Sequence, residues 1–553
     1  MAYWMRSPLM VWGLGTLGVV ILCLGYAGVF QGEIINPGGW GQVWQFIAAS
    51  AQPDLSPELL RVTGKATLVT LSYAVCGTFL NLLLAIGGGL LSSEVWWLSV
   101  FPDRSRGRPP ALWLGVRALL AIPRAIHELV WGLFFVNIWG LDPLGAILAI
   151  GIPFGAITAK VFADILDETP RQALTVLLNS GVAAPSAFAY SLIPQAFLNL
   201  LSYTFYRFEC SIRSAAVLGI IGAGGLGYEI LLSLQSLQYR QLWTLIDALI
   251  ILNGLVDFGS AWLRQQLGCP NRMDLTVHAP NRTVGETRSP YLLLPVLLLV
   301  PICFWYLHPN VAHLWAPRTG KLLTQIVQAS LPPDFSLVPQ LLPLSLQTLA
   351  MSVPAIAVAA LGGLILAFPA AHNLFLPGGI LHRSRSGIGG RSGAWGLLLL
   401  ARMILLLCRA IPAPIWALVI LFVFFPGILP GALALGLHNL GILGRLLAEV
   451  IENLDQRPLE ALQAQGSPPS LLFLYGVLPL TLPRFLAYAL YRWEVCMRET
   501  VIVGVVGAGG LGQLLTEQLS SFDYRGVVTT LGCLVLLTFS VDWFSGMMRR
   551  SLR

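Results

Sequence analysis

Charge is scarce in this chain of 553 residues, with 33 Lys and Arg and 26 Asp and Glu making up 11% of the sequence. A soluble globular domain carries about 25%. With 56% hydrophobic residues and a mean hydropathy of +0.74, the shortage excludes an ordinary water-soluble fold and points to a bilayer as the solvent. The eight cysteines lie mostly in apolar stretches and form no CxxC pair, so no disulfide framework or zinc site follows. The seven histidines form no HExxH pattern, and His308 and His313, although close in sequence, have no other obvious ligand beside them. No basic cluster with interleaved aromatics is present, so the net charge of +7 reads as cytoplasmic loop charge and not as a nucleic-acid footprint. A phosphate loop is missing too. Gly64-Lys65-Ala66 lacks the hydroxyl residue after the Lys and the Gly five positions earlier, and Gly320-Lys321-Leu322 fails in the same way. If ATP drives the chain's work, that energy must enter from another chain. A membrane-embedded enzyme would need clustered carboxylates, histidines or a nucleophile–base pair, and none is repeated along the sequence.

What is present is a duplication. YRFECSIRSAAVLGIIGAGGLG begins at Tyr206 and YRWEVCMRETVIVGVVGAGGLG at Tyr491, and 11 of 22 positions are identical. The offset between those two tyrosines also pairs Arg117 with Arg402, Arg124 with Arg409, Trp131 with Trp416, Gly181 with Gly466 and Pro194 with Pro479. One membrane module is written twice, and two equal membrane halves imply a pathway at a pseudo-symmetric interface.

A spanning helix needs roughly 20 apolar residues. Six such stretches fall in each half: 8–30, 66–92, 112–139, 141–165, 186–206 and 241–263, then 290–307, 341–369, 396–426, 429–449, 470–490 and 525–546. The expected fold is an all-α polytopic membrane protein of about 12 transmembrane helices, arranged as two homologous six-helix halves with pseudo-two-fold symmetry. The first module covers 1–263, a cytoplasmic linker 264–289 and the second module 290–553. Residues 8–30 read as a retained signal anchor. Arg104, Arg106 and Arg108, then Arg264, Arg272, Arg282 and Arg288, and finally Arg549, Arg550 and Arg553 fall on one side if both termini are cytoplasmic. The 31–65 and 308–340 stretches then lie outside as partly ordered caps. Residues 215–232 are apolar enough to span, but five Gly between 219 and 227 favour a re-entrant or surface-lying segment.

The GAGGLG segments carry Gly222, Gly224 and Gly225 in the first copy and Gly507, Gly509 and Gly510 in the second. They fit GxGxxG, but a dinucleotide fold needs an acidic residue about 20 positions on, where the second copy has Gly532, and βαβ surroundings that are missing here. Two readings remain: close helix packing through small residues, or a glycine turn whose backbone N–H groups face the pathway and steer an anion.

A charge at the centre of a spanning helix costs about 2.5–3.5 kcal/mol on insertion scales, so each needs a reason. Arg117 and Arg124, like Arg402 and Arg409, are seven residues apart on one helix face. Snorkelling to headgroups or a cationic lining for anions would explain them. Arg213 and Arg498 fall on the outer side, against the positive-inside trend, with Glu209 and Glu494 four residues earlier. The spacing predicts i,i+4 ion pairs, and an entrance for an oxyanion is the alternative.

Between the fourth and fifth spans of the second half, Glu460, Ala461, Leu462, Gly466, Leu478 and Pro479 resemble the coupling loop of ABC importer permeases. A short amphipathic helix stopped by Gly fits an ATPase groove as a knob. The first half keeps Gly181 and Pro194 but has Thr175-Val176-Leu177 in place of Glu-Ala-Ala, so weaker docking is expected there. Tyr-Arg-Phe/Trp-Glu, then Arg213 or Arg498, then GAGGLG is similar to the membrane subunit of phosphonate-type ABC importers. Arg124-Ala-Ile-His-Glu-Leu-Val-Trp131 and Arg409-Ala-Ile-Pro-Ala-Pro-Ile-Trp416 divide between them that family's Arg-x-Ile-Pro-Glu-Leu-Val-Trp pattern. The resemblance covers roughly 60–265 and 340–553 and implies a fused pair of modules that are usually separate chains. It implies transport of phosphonate, phosphite or phosphate across a bacterial cytoplasmic membrane. It also implies two ATPase subunits that hold ATP and Mg²⁺, a periplasmic or lipid-anchored binding protein, and no cofactor in this chain. GAGGLG also occurs in methionine and glycine-betaine importers, so a permease for methionine or a quaternary amine is the second reading.

Overall fold

The computed structural model describes residues 8–29, 35–101, 111–269, 294–376, 379–380 and 388–551. Arg104, Arg106, Arg108, Arg272, Arg282, Arg288, Arg553 and most of the 264–289 linker lie outside the described residues. In hydrocarbon every backbone polar group must be satisfied internally, so long apolar runs become helices. Among the described residues, backbone pairing of the β type is a single isolated bridge between Ile35 and Phe424.

The first repeat contributes α1 (Pro8–Tyr26), α2 (Pro57–Ser92), α3 (Ala111–Ala125), α4 (Glu128–Trp139), α5 (Pro143–Glu168), α6 (Gln172–Asn179), α7 (Ala184–Leu218), α8 (Leu226–Gln235) and α9 (Tyr239–Gln266). The second contributes, in the same order, α10 (Leu294–Leu307), α11 (Val338–Ala370), α12 (Ile388–Ala410), α13 (Ala413–Ile420), α14 (Ile428–Glu452), α15 (Arg457–Ala464), α16 (Leu478–Val505), α17 (Gly510–Ser520) and α18 (Tyr524–Ser551). Among the described residues 8 helices are long and apolar enough to cross a membrane, or up to 10 if each of two bent pairs is one span. Shorter apolar stretches, Leu17–Tyr26 and Leu297–Leu307, lie in α1 and α10.

Two expectations change in detail. The 112–139 stretch is not one straight span, because α3 and α4 bend by 83° at the break between them. Pro123 weakens the end of α3 by removing a backbone donor. His127 then starts α4 afresh, its Nδ1 accepting the Leu129 N–H at 3.2 Å as an N-cap. In the second half Pro412 (φ −61°) stands at the equivalent break and opens α13. The 186–206 stretch continues to Leu218, and its partner runs as one long apolar helix from Pro469 to Val505. The glycine segment, as expected, is not a continuous span, and its bend suits a broken span or a re-entrant turn. Its first residues finish α7, and α8 then departs at 57°.

The chain folds as two compact units, residues 52–327 and residues 1–51 with 328–553. Each unit takes its first helix from the other repeat. In one, α10 packs against α2, with Cys303 and Leu307 buried in a cluster with Tyr73, Cys76, Phe135 and Ile147. In the other, α1 packs against α11. The division by repeat at 264–289 is therefore not the division by packing. The stretches after α1 and after α10 join in at matching places. The Asn36 N–H donates to the Val423 carbonyl at 2.6 Å, and the Trp139 indole donates to Thr319 Oγ1 at 3.0 Å. Small residues let α2 and α5 approach closely: a Cβ on Gly89 would lie 2.7 Å from Phe162 Cβ, and one on Gly151 2.5 Å from Leu80 Cδ2.

Candidate functional site

The two coupling segments form the same object. α6 and α15 are each eight residues long. Each is closed by a glycine in the left-handed region, Gly181 at φ +81° and Gly466 at φ +80°. The backbone N–H of Val182 returns to Leu177 O (3.1 Å) and that of Ser467 to Leu462 O (3.3 Å), the double-ended stop that a left-handed glycine permits. A Cβ on either glycine would meet nothing within 4 Å, so backbone conformation and not space requires Gly there. Each helix is pinned by one leucine, Leu174 or Leu459, which are 3% and 0% exposed. Glu460 and Ala461 face outward and Leu462 is half-buried. The pinning leucines are themselves equivalent by the repeat.

The glycine turns are helix hairpins. Gly222, Gly224 and Gly225 have φ of +97°, +84° and +78°, and Gly507, Gly509 and Gly510 have +90°, +86° and +75°. The neighbouring Gly227 meets the packing requirement, since a Cβ there would lie 1.8 Å from the Ala216 carbonyl oxygen. In the second copy a Cβ on Gly512 would lie 2.6 Å from Val501 Cα. The first backbone amides of α8 and α17 are not all free to meet an anion. The Leu226 N–H donates to Thr70 Oγ1 (2.9 Å), the Leu511 N–H to Thr348 Oγ1 (3.0 Å) and the Gly510 N–H to Gln347 Oε1 (3.2 Å). Tyr73 Oη donates to the Ala223 carbonyl at 2.8 Å. Thr70 and Thr348 stand closer together in sequence than the repeat offset, which hid their equivalence from a search at one fixed spacing.

The Glu209 and Glu494 carboxylates both bind an arginine on a neighbouring helix. Glu209 accepts from Arg264 Nη2 on α9 at 3.2 Å and from Ser260 Oγ. Glu494 accepts from Arg549 Nη1 on α18 at 2.5 Å, and Arg549 also donates to Ser545 Oγ at 3.0 Å. Both carboxylates are buried, and each is held by an arginine on a packed neighbouring helix. Arg213 and Arg498 are half-buried, and Arg213 Nη2 approaches Cys210 Sγ at 3.6 Å.

The remaining arginines also have structural work. Arg117 Nε donates to the Ser92 carbonyl and Arg402 Nε to the Ala370 carbonyl, both at 3.0 Å. The same side chains pair with Asp167 (3.3 Å) and Glu452 (2.7 Å). They close the C-termini of α2 and α11, which replaces snorkelling as their explanation. Arg124 and Arg409 are half-buried in the last turns of α3 and α12, where a cation suits the helix dipole. Arg207 and Arg492, equivalent by the repeat and given no role by sequence reasoning, are both buried. Arg207 donates to Tyr203 Oη (2.7 and 3.0 Å), with the Phe154 and Tyr203 rings each 5.2 Å from its guanidinium. Arg492 pairs with Glu499 (2.6 Å) and donates to Asn439 Oδ1.

Short knob-like helices at one end of α7 and of the Pro469–Val505 helix, glycine hairpins at the other and arginines between them define a membrane transport component. The chain matches the family described as "Binding-protein-dependent transport system inner membrane component" at residues 105–268 and again at 388–553, and it belongs to that family. It is a multi-pass inner-membrane subunit, a permease and not an enzyme, with the ATPase on separate subunits. It is 26% identical over 498 residues to the phosphate-import permease protein PhnE of Mycolicibacterium smegmatis, covering 88% of this chain and 85% of that protein. It is 35% identical over 224 residues to the phosphite transport system permease protein PtxC of Stutzerimonas stutzeri, covering 40% of this chain and 75% of the relative. Among solved structures, an inward-facing MetNI methionine ABC transporter chain is 20% identical over 38% of this chain and 98% of its own, with a TM-score of 0.34.

Proposed function

We propose that this chain is the whole transmembrane pathway of an ABC importer for a phosphorus oxyanion: phosphonate, phosphite or phosphate. The observation that carries this reading is the double occurrence of Tyr-Arg-Phe/Trp-Glu, Arg213 or Arg498 and GAGGLG, in a chain similar over most of its length to a phosphate-import permease. Each half is a six-helix module, with α1 or α10 as its first helix, and both termini are cytoplasmic. In each half an arginine, Arg213 or Arg498, with Arg124 or Arg409 deeper, supplies positive potential to the anion, and the turns at Gly222, Gly224 and Gly225 or at Gly507, Gly509 and Gly510 line its route. One ATPase subunit docks at α15, through Glu460, Ala461 and Leu462, and a second at α6 beside Gly181. A periplasmic or lipid-anchored binding protein delivers the anion.

Purification of the intact complex tests this reading. Two ATPase subunits and one binding protein are expected per copy of this chain, and two copies of this chain around one pathway would refute the fused arrangement. In proteoliposomes, Arg213→Gln with Arg498→Gln should reduce uptake of phosphate, phosphite and methylphosphonate while the complex stays assembled. Unchanged uptake of all three would remove the arginines from the path.

A further inference from the structure

The two halves differ at one buried carboxylate. In the first half Glu128, the opening residue of α4, accepts from Ser214 Oγ on α7 at 2.7 Å and lies 3.1 Å from His127 Nε2. Because His127 Nδ1 already accepts the Leu129 N–H, the ring proton lies on Nε2, the nitrogen nearest Glu128. The repeat offset turns Glu128 into Ala413 and Ser214 into Glu499. Positions 128 and 214 touch, so the acidic group has changed helices without leaving its place. The second half agrees. Ala413 is buried in one cluster with Cys496 and Val503, which stand three residues before and four after Glu499 on the same face of α16. Glu499 there accepts from Arg492 Nη2 at 2.6 Å and from Asn439 Nδ2 at 2.8 Å. Glu128 and Glu499 are 8% and 9% exposed.

We propose that each half requires one carboxylate where the short helix after the break meets the helix that leads to the glycine turn, and that Glu128 and Glu499 are alternative carriers of this one positioning site. α4 and α13 begin with backbone N–H groups that their own helix leaves open, and the positive end of each favours an anion. The helices that close the site, α7 and α16, each lead from a coupling helix to a glycine turn. A carboxylate at the crossing fixes the broken third span against that lever, so movement at the coupling helix arrives at the glycine turn without being lost in the bend. This rests on the importer reading for its transport arm.

The test uses the full complex with its ATPase and binding protein in proteoliposomes, with inorganic phosphate, phosphite and methylphosphonate as probes. E128Q keeps the volume and a hydrogen-bond acceptor for Ser214, and it should lower uptake per ATP hydrolysed about tenfold with basal hydrolysis unchanged. E128A/S214E writes the second half's arrangement into the first and sets the new Glu seven residues after Arg207, as Glu499 follows Arg492. It should restore most of the coupling and melting temperature that E128A loses, whereas S214E alone, with two facing carboxylates, should lose both. Wild-type coupling in E128Q, or a double variant no better than E128A, overturns the proposal. If E128A does not fold, recovery of folded protein in the double variant is the reading. If the wild type imports none of the probes, the oxyanion reading fails, while the melting comparison of E128A with E128A/S214E still decides the site.

Discussion

Glu209 on α7 is held by Arg264 on α9 at 3.2 Å, and its counterpart in the second repeat, Glu494, is held by Arg549 in the same way at 2.5 Å. A serine four residues before each arginine, Ser260 or Ser545, completes both clusters. Each helix that leads to a glycine turn is thus tied to the last helix of its repeat by a charge pair, buried on both sides at Glu209–Arg264 and with a half-buried arginine at Glu494–Arg549.

Removing one partner of a buried pair leaves an uncompensated charge and costs about 3–5 kcal/mol. Arg264→Gln and Arg549→Gln should therefore lower the melting temperature of the purified protein sharply, and Glu209→Gln combined with Arg264→Gln should recover part of the loss. Arg213→Gln leaves the Arg264 and Ser260 contacts of Glu209 in place and should melt higher than Arg264→Gln. A larger loss in Arg213→Gln than in Arg264→Gln would contradict the assignment.

At the coupling segments the requirement for glycine is conformational, since both positions have open space and positive φ. Gly466→Trp adds bulk to the exposed end of α15 and should abolish substrate-stimulated ATP hydrolysis while the chain still inserts. Gly181→Trp should do less, because α6 carries Thr175-Val176-Leu177 where the docking pattern has Glu-Ala-Ala. Equal and negligible effects would remove both helices from energy coupling.

Within the glycine turns, different positions answer to different physics. Gly227→Ala drives a methyl against the Ala216 carbonyl at 1.8 Å, and folded yield should collapse. Gly224→Ala meets nothing within 4 Å and bears only the backbone penalty of its φ +84°, ψ −168° conformation, about 1–3 kcal/mol. Melting curves of the two variants should rank in that order, and the reverse order would exclude the close α7–α8 crossing.

The hydroxyls of Thr70 and Thr348 cap α8 and α17 from a distant helix. Thr70→Val keeps the shape and deletes the acceptor, which should cost about 1 kcal/mol, the usual worth of an N-cap. Thr70→Ser should restore it. Hydrogen exchange at the Leu226 amide is the direct measurement, and unchanged protection in Thr70→Val would show that the cap does not hold the turn.

The sequence by itself determined the solvent, the duplication and the local punctuation. Eleven per cent charge leaves a bilayer as the only place for so many apolar residues. One constant offset, the spacing of Tyr206 and Tyr491, exposed the two halves. The coupling helices and glycine turns followed because Gly181, Gly466 and the GAGGLG residues are fixed by backbone conformation, which is a local property. The pairing of charges was decided only by tertiary structure. Glu209 sees Arg213 four residues away in sequence, but its buried face is turned toward α9, where Arg264 lies 55 residues on. A carboxylate removed from water takes the partner that burial brings to it, and sequence distance has no part in that choice. For the same reason the exchange of α1 and α10, the caps from Thr70 and Thr348 and the shared place of Glu128 and Glu499 could not be read along the chain. Each is a contact between helices whose facing surfaces exist only once they have packed.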